Sequence, residues 1–151
     1  MAISAQKLVA QQVIAPHLRI LGANLYDLSL PETRTLLYLL DPDETPLGLV
    51  YGRYHYADKP VGRGLLVATN SRIMLIDKKP LYLNFNEISY SMVSGVEYAH
   101  IGLVSIVALS THKGDVRVRT FNSTCARRFV AAVERKIFTQ QGGELNGYFN
   151  K

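Results

Sequence analysis

Four histidines and one cysteine are the side chains of this chain best suited to metal binding or nucleophilic chemistry. His17, His55, His100 and His112 fall in a predicted helix, a strand and two turns, so their local spacing does not assemble a metal site. Cys125 lies just inside the last predicted helix, where the dipole could lower its thiol pKa, but it has no histidine nearby in sequence. Serine-hydrolase, zinc-protease and P-loop motifs are also missing. We therefore expect no enzyme activity, no metal and no cofactor.

A second group of chemically active residues is the alternating pair Arg117 and Arg119. Alternate residues of a strand share a face, so both side chains are expected on the outer, solvated face of the last predicted strand. Binding of single-stranded nucleic acid would require aromatic side chains beside them, on which bases stack. Tyr51 and Tyr82 lie in strands, but the sequence places neither beside the arginines. The pattern argues against nucleic acid as a partner.

Composition and charge narrow the class of protein. The chain has 151 residues, of which 48% are hydrophobic and 19% charged, as is typical of one compact domain. Its apolar runs are shorter than the roughly 18 residues that a membrane-spanning helix needs. A single cysteine and no signal-peptide pattern favour a cytoplasmic protein, with the inner membrane face as a further site. Residues 1–50 hold three basic and five acidic residues, net −2, and residues 51–151 hold fourteen and seven, net +7.

Helical spacing of apolar residues dominates the first forty positions. Pro16 interrupts the pattern and is expected to end one helix and begin a second short one that ends near Gly22. A third helix is predicted from Pro31 to about Leu40, because proline suits the first turn and Asp41-Pro42 stops the helix. Residues 1–40 thus form an N-terminal helical extension, which packs either on the rest of the domain or against another subunit.

From residue 47 the pattern changes to the alternation of β-strands. Seven short strands are predicted near residues 49–56, 64–69, 72–77, 81–85, 92–98, 103–110 and 116–121. Asn70-Ser71 forms a two-residue hairpin turn between the second and third. An amphipathic helix follows at about 123–140 and ends before Gly142-Gly143. Residues 41–140 are therefore assigned to one domain and residues 141–151 to a polar tail.

Seven strands followed by one amphipathic helix resemble the order of elements in a pleckstrin-homology (PH) domain. The sequence is most similar to the bacterial YokE-like group in Leu-Asp-Pro-Asp-Glu at 40–44, in the block at 64–79 with its Thr-Asn-Ser-Arg turn, and in Glu-Ile-Ser-Tyr at 87–90. The similarity covers about residues 40–140. It implies an α+β fold: a PH-like seven-stranded antiparallel barrel of two near-orthogonal sheets, closed by the C-terminal helix and preceded by the N-terminal helices.

The resemblance also implies a candidate anion site. In PH domains that bind phosphoinositides, basic residues around the loop between the first two strands contact the headgroup phosphates, and the nearest counterparts here are Arg53, Lys59, Arg63 and Arg72. The family's second paired arginine is missing, because Gly64 follows Arg63. Each basic residue near an anionic membrane contributes about 1 kcal/mol, so four give a dissociation constant of about 1 mM. Weak peripheral binding of anionic lipid headgroups is therefore the alternative function.

The segment at 101–109 is apolar on both faces, which is unusual for a strand whose outer face meets water. Such a face is normally covered by a helix or by a neighbouring chain. The resemblance implies the same, since bacterial PH-like domains assemble into oligomers. Leu103, Val104, Ile106 and Val107 are the candidate interface residues. The first prediction for function is a non-catalytic binding module that acts in protein interaction or self-association.

Overall fold

A computed structural model of the chain describes the backbone of residues 5–149 and the side chains of residues 13–140. It begins with three helices, α1 (Ala5–Ile20), α2 (Leu25–Ser29) and α3 (Pro31–Leu39). Helix α1 continues through Pro16, so the predicted break there is wrong. Leu18, in the turn after Pro16, is fully buried against the sheet. The free energy gained by burying it offsets the cost of a proline inside the helix.

Helix α2 is too short for hydrophobic periodicity to indicate it, and a capping box defines its start. The side chain of Asn24 accepts a hydrogen bond from the backbone N–H of Asp27 (2.8 Å), and the Asp27 carboxylate accepts one from the N–H of Asn24 (3.0 Å). Helix α3 begins with Pro31 in its first turn and ends one residue before the predicted boundary. The two short helices thus follow each other with a single residue, Leu30, between them.

Seven antiparallel strands and a C-terminal helix follow, which confirms the predicted PH-like fold, although the strands form one continuous sheet and not two separate ones. They are β1 (Pro46–Tyr56), β2 (Lys59–Thr69), β3 (Ile73–Lys78), β4 (Leu83–Ile88), β5 (Val93–Ile101), β6 (Val104–Thr111), β7 (Val116–Thr120) and α4 (Ser123–Phe149). The strand order is β4-β3-β2-β1-β7-β6-β5. Strand β1 pairs with β2 over most of its length and with β7 through residues 53–56, so it joins the two halves into one sheet.

Two apolar cores lie on opposite faces of this sheet. Inside the barrel, α4 inserts the fully buried ring of Phe129 among inward-facing residues of β1, β2, β3, β6 and β7. Outside it, Leu18 and Leu36 of the N-terminal helices cover Leu49, Leu65 and other residues on the outer face of β1, β2 and β3. Of the two arrangements predicted for the extension, the structure therefore has the helices packed on their own domain.

The hairpin turns are tight. Asn70-Ser71 forms the predicted two-residue turn, in which the N–H of Thr69 donates to the carbonyl of Arg72 (2.8 Å). Between β1 and β2, Ala57 and Asp58 have φ values of 51° and 65°, the left-handed pair that a type I′ turn requires. The loop expected to carry the anion site is thus only two residues long.

Helix α4 extends further than predicted. It runs through Gly142-Gly143 to Phe149, because glycine weakens a helix by about 1 kcal/mol without forbidding it. The predicted polar tail at 141–151 lies outside the residues whose side chains are described. Over the described part of the chain, no helix is both long and apolar enough to cross a membrane.

Candidate anion-binding site

Three arginines lie side by side on the outer face of the sheet. Arg53 on β1 is the register partner of Arg63 on β2 and of Arg119 on β7. Directly paired residues of antiparallel strands point to the same face with Cβ atoms about 4.5–5.5 Å apart. All three side chains are exposed, and none of them has an ion pair or hydrogen bond with another described side chain. We call Arg53, Arg63 and Arg119 the arginine row.

A glycine beneath the row allows the strands to approach closely. A Cβ atom on Gly52 would lie 1.8 Å from the carbonyl oxygen of Arg119, so any larger residue would force β1 away from β7. Gly52 is also the register partner of Gly64 on β2. The close crossing of β1 with β7 at this point brings Arg119 into register with Arg53, although the two residues are far apart in sequence.

Arg72 lies at the β2–β3 turn and its guanidinium is already occupied. Its Nε and Nη2 atoms each donate to the Glu44 carboxylate at 2.9 Å, Nη2 also donates to the Leu39 carbonyl (2.8 Å), and Nη1 donates to Glu87 (3.2 Å). These contacts fasten the turn to the segment that precedes β1. Arg72 therefore acts as a structural clamp and has no free donor pair to offer an anion.

The electrostatics of Glu44 agree with this clamp. Burial by itself would raise the pKa of Glu44, but hydrogen bonds from Arg72, Thr69, the Asp41 N–H and Ser71 outweigh burial and lower the pKa to about 2. Glu44 is thus ionised throughout the neutral range. The pKa of Arg72 is raised in turn, chiefly by its hydrogen bond to Glu44.

Of the four residues predicted to bind anions, the structure brings Arg53 and Arg63 together. Lys59 is exposed at the start of β2, and it does not line the cavities beside the arginine row. The sequence predicts an outer strand face for Arg119 but does not group it with the four anion-binding candidates. Strand alternation places it outward, and only the pairing of β1 with β7 makes it a neighbour of Arg53.

Two adjoining cavities share the arginine row. One, of about 410 Å³, lies between α2 and the outer face of β1 and β7. The other, of about 600 Å³, extends along the β1–β2 hairpin past Pro60, Val61 and Gly62. Small-molecule sites typically measure about 300–1,000 Å³. Both cavities are therefore large enough for a small ligand held by the three guanidinium groups.

Aromatic side chains line the cavity next to α2. Tyr26 of α2 and Tyr51 of β1 contact each other edge to face, with ring centroids 6.1 Å apart and an interplanar angle of 68°. Phe121, directly after β7, lines the same cavity and is 83% exposed. The sequence by itself places no aromatic residue beside Arg119, whereas the fold brings Tyr51 into the same cavity. Tyr82 does not line it.

The predicted interface residues divide between surface and core. Leu103 is 85% exposed at the β5–β6 turn, and Val104 and Ile106 are half-buried on the outer face. Val107 points inward and is fully buried in the barrel core, because alternate residues of β6 face opposite sides. Val107 is therefore a core residue. Ile101, 66% exposed on the same turn, adds to the apolar surface around Leu103.

Two of the four histidines, and the cysteine, have structural contacts. Nε2 of His17 lies 2.7 Å from the carbonyl oxygen of Pro46, and Nδ1 of His100 lies 3.2 Å from Oγ of Ser105. Cys125 is buried; burial, together with the charge of Asp27, raises its thiol pKa to about 12, opposite to the direction expected from the helix dipole. Within the described residues, His, Cys, Asp and Glu side chains do not gather in a group of three that could hold a metal.

An open barrel of seven antiparallel strands with a C-terminal helix over its core is the PH-domain fold. The model of the family described as Bacterial PH domain matches residues 40–135, and the chain belongs to this family. Domains of this class are typically non-catalytic binding modules.

The solved structures that are similar to the chain include the following two. One is the Vps36 N-terminal PH domain, with a TM-score of 0.54 and 17% identity over 68% of this chain and 86% of that chain. The other is the hSac2 domain from human phosphoinositide phosphatase Sac2, with a TM-score of 0.42 and 16% identity over 93% of this chain and 85% of that one. No curated protein matches the chain.

Proposed function

We propose that this protein is a non-catalytic binding module, of the YokE-like group within its family, that binds a phosphate-bearing anion at the arginine row. The observation that carries the proposal is three arginines in direct register with no acidic partner among the described residues. Like charges placed directly opposite each other destabilise a sheet. A bound anion would remove that repulsion, and guanidinium groups hold phosphate oxygens in two-point hydrogen bonds.

The phosphate can belong to a membrane lipid or to a soluble compound. For the lipid, three arginines contribute about 3 kcal/mol, which corresponds to a dissociation constant of about 6 mM and requires a second anchor. Leu81, 96% exposed in the β3–β4 turn, is suited to that role. The neighbouring Lys79 donates from Nζ to the Arg63 carbonyl at 3.2 Å, so this turn contacts the strand that carries Arg63.

The test uses one lipid probe and one soluble probe. Co-sedimentation with phosphatidylglycerol/phosphatidylcholine vesicles, against pure phosphatidylcholine, measures lipid binding at low and high salt, and isothermal titration with inorganic pyrophosphate measures binding of free phosphate. We expect binding to at least one probe, weakened by salt and reduced about 30-fold by Arg53→Ala with Arg119→Ala.

Arg127→Ala is the matched control, since Arg127 is exposed on α4 away from the cavities and carries the same charge. Its effect should be small. Equal binding by the control and the double variant would refute the proposal, as would wild-type protein that binds neither probe.

A second candidate function is self-association through the apolar residues exposed around the β5–β6 turn. Ile101 and Leu103 are largely exposed there, and Val104 beside them shares a cavity with the exposed Phe121. A second copy of the chain would bury this surface, and apolar contact would resist salt. Light scattering at high salt should then show an oligomer that Leu103→Asp dissociates. A monomer at the highest concentration reached would exclude this candidate.

A further inference from the structure

The cavity between α2 and the sheet has two chemically different sides. The arginine row supplies cationic donors, whereas Tyr26, Tyr51 and Phe121 supply aromatic surface. Val104 is the aliphatic residue of the lining. A ligand that satisfies the whole cavity must carry an anion and a flat apolar group in one small molecule.

The aromatic side is open to a ligand. Phe121 is largely exposed although it adjoins the sheet, and Tyr26 is more than half exposed. The edge-to-face contact of Tyr26 with Tyr51 holds the two rings in a fixed relation, so they form a preformed surface. Aromatic rings in the core of a protein are buried, and an ordinary solvated surface carries few large apolar side chains. The exposed rings beside the arginine row fit neither description.

The wall formed by α2 is tied firmly to the rest of the domain. Nδ2 of Asn122, between β7 and α4, donates to the Asp27 carboxylate (2.8 Å) and to the Gly22 carbonyl (2.9 Å). Asp27 also accepts the N–H of Asn24 in the capping box. The carboxylate is therefore already occupied, and the ionisable residues of the lining, three arginines and Asp27, leave a net charge of +2.

Helix α2 lies outside the part of the chain that matches the family, so the cavity that it helps to form is not a general feature of the family. The residues that match the family model begin at 40, whereas Tyr26 and α2 precede them. The N-terminal extension thus completes a cavity that the barrel by itself would leave as an open sheet face.

We infer that this cavity binds a small phosphorylated compound with a planar ring, of which a nucleoside monophosphate is the representative, with phosphate on the arginine row and the ring against Tyr26 and Phe121. This inference rests on the proposed binding of phosphate by the arginine row. It adds that the ligand carries a planar ring, which contacts the aromatic side chains of the cavity. A volume of about 410 Å³ is within the range of small-ligand sites. Aromatic side chains stack any planar base and so do not select one base over another.

The hydroxyl of Tyr51 is compatible with a phosphate ligand. Burial, followed by the negative charge of Glu32 and contact with Tyr26, raises the pKa of Tyr51 to about 12, although Arg63 acts in the opposite direction. The hydroxyl is therefore neutral near pH 7. It adds no negative charge that would repel the anion.

The experiment compares a ligand that has the ring with one that lacks it. Isothermal titration of the full chain with adenosine 5′-monophosphate and with ribose 5-phosphate should give about tenfold tighter binding of the nucleotide, since stacking of one base contributes roughly five- to 150-fold. Tyr26→Ala should weaken nucleotide binding about tenfold and leave ribose 5-phosphate binding unchanged. Arg53→Ala should weaken the binding of both compounds.

Tyr82→Ala is the control, because Tyr82 is an exposed tyrosine outside the cavity. Circular dichroism establishes that each variant is folded. Equal affinity for the two compounds would overturn the planar-ring inference while phosphate binding stands. Binding to anionic vesicles but to neither compound would overturn it in favour of a lipid headgroup. Absence of binding to both compounds, to the vesicles and to pyrophosphate would refute both proposals. Equal losses of nucleotide binding in Tyr26→Ala and Tyr82→Ala would refute the assignment of the ring to this cavity.

Discussion

Replacing Glu44 with glutamine removes the charge at the centre of the Arg72 clamp while preserving the shape of the side chain. The Glu44 side chain is 1% exposed. Besides Arg72, it accepts hydrogen bonds from the hydroxyls of Thr69 (2.6 Å) and Ser71 (2.9 Å). A neutral amide cannot accept all of these donors, so the variant leaves Arg72 partly unpaired in a largely buried position.

The size of the effect follows from the pKa of Glu44, which is lowered from 4.5 to about 2. At about 1.36 kcal/mol per pKa unit, the favoured ionised state contributes about 3 kcal/mol to the free energy of unfolding. Because folding lowers this pKa, the contribution is fully present above about pH 4.5 and is lost as the pH falls toward about 2. By about pH 3 less than half of it should be left.

Urea denaturation from about pH 7 down to about pH 3 measures this contribution. Glu44→Gln should lower the free energy of unfolding by about 3 kcal/mol near pH 7, and its difference from the wild type should shrink below about pH 4.5. Glu87→Gln is the matched control, because Glu87 contacts the same guanidinium but its side chain is 55% exposed, and its loss should stay under about 1 kcal/mol. Equal losses in the two variants, or a difference that does not change with pH, would refute the clamp.

Four further outcomes follow from single positions. Gly52→Ala should separate β1 from β7 and cost at least about 2 kcal/mol in urea denaturation, and wild-type stability would show that the close approach is not required. Val107→Asp should abolish the folded circular dichroism spectrum, since it buries a charge, and a stable variant would contradict its place in the core. Cys125 should resist iodoacetamide at mildly alkaline pH until urea unfolds the chain; rapid labelling of the native protein would contradict its raised thiol pKa. Arg53→Thr should raise the free energy of unfolding by up to about 1 kcal/mol while weakening phosphate binding, and a loss of stability would show that the arginine row does not repel itself.

The strands could be predicted because their alternation is local. In β7, Val116 and Val118 are buried while Arg117 and Arg119 are exposed, as the period of two requires. Helix α2 could not be predicted in the same way, because five residues are too few for a helical period and its start depends on Asn24 and Asp27. The continuation of α1 past Pro16 depends on burial against the sheet, which is a tertiary effect.

The candidate site was predictable only in part, since charge identifies a residue type but not its partner. Arg53 and Arg63 flank one hairpin, so a sequence can group them. Arg119 joins them through a pairing between strands distant in sequence. Arg72 also lies beside a hairpin turn, the one between β2 and β3, and the sequence therefore suggests a similar role for it. Its guanidinium is nevertheless held by Glu44, 28 residues away along the chain. Only the fold decides which arginine is free.

Buried carboxylates hold two of the cations in this domain, whereas the arginine row has no such partner. Arg72 is paired with Glu44, and Lys79 is paired with Asp77 at 2.7 Å, so this domain places buried carboxylates where a cation must be held. The arginine row has no such partner, although it brings three like charges into direct register. A purely structural sheet would lose nothing by replacing one of them with a neutral β-former such as threonine. Other exposed basic side chains of the described residues, such as Arg117 and Arg127, also have no acidic partner, so the row is distinguished by the direct register of its three charges. A bound anion would offset the repulsion that this register creates.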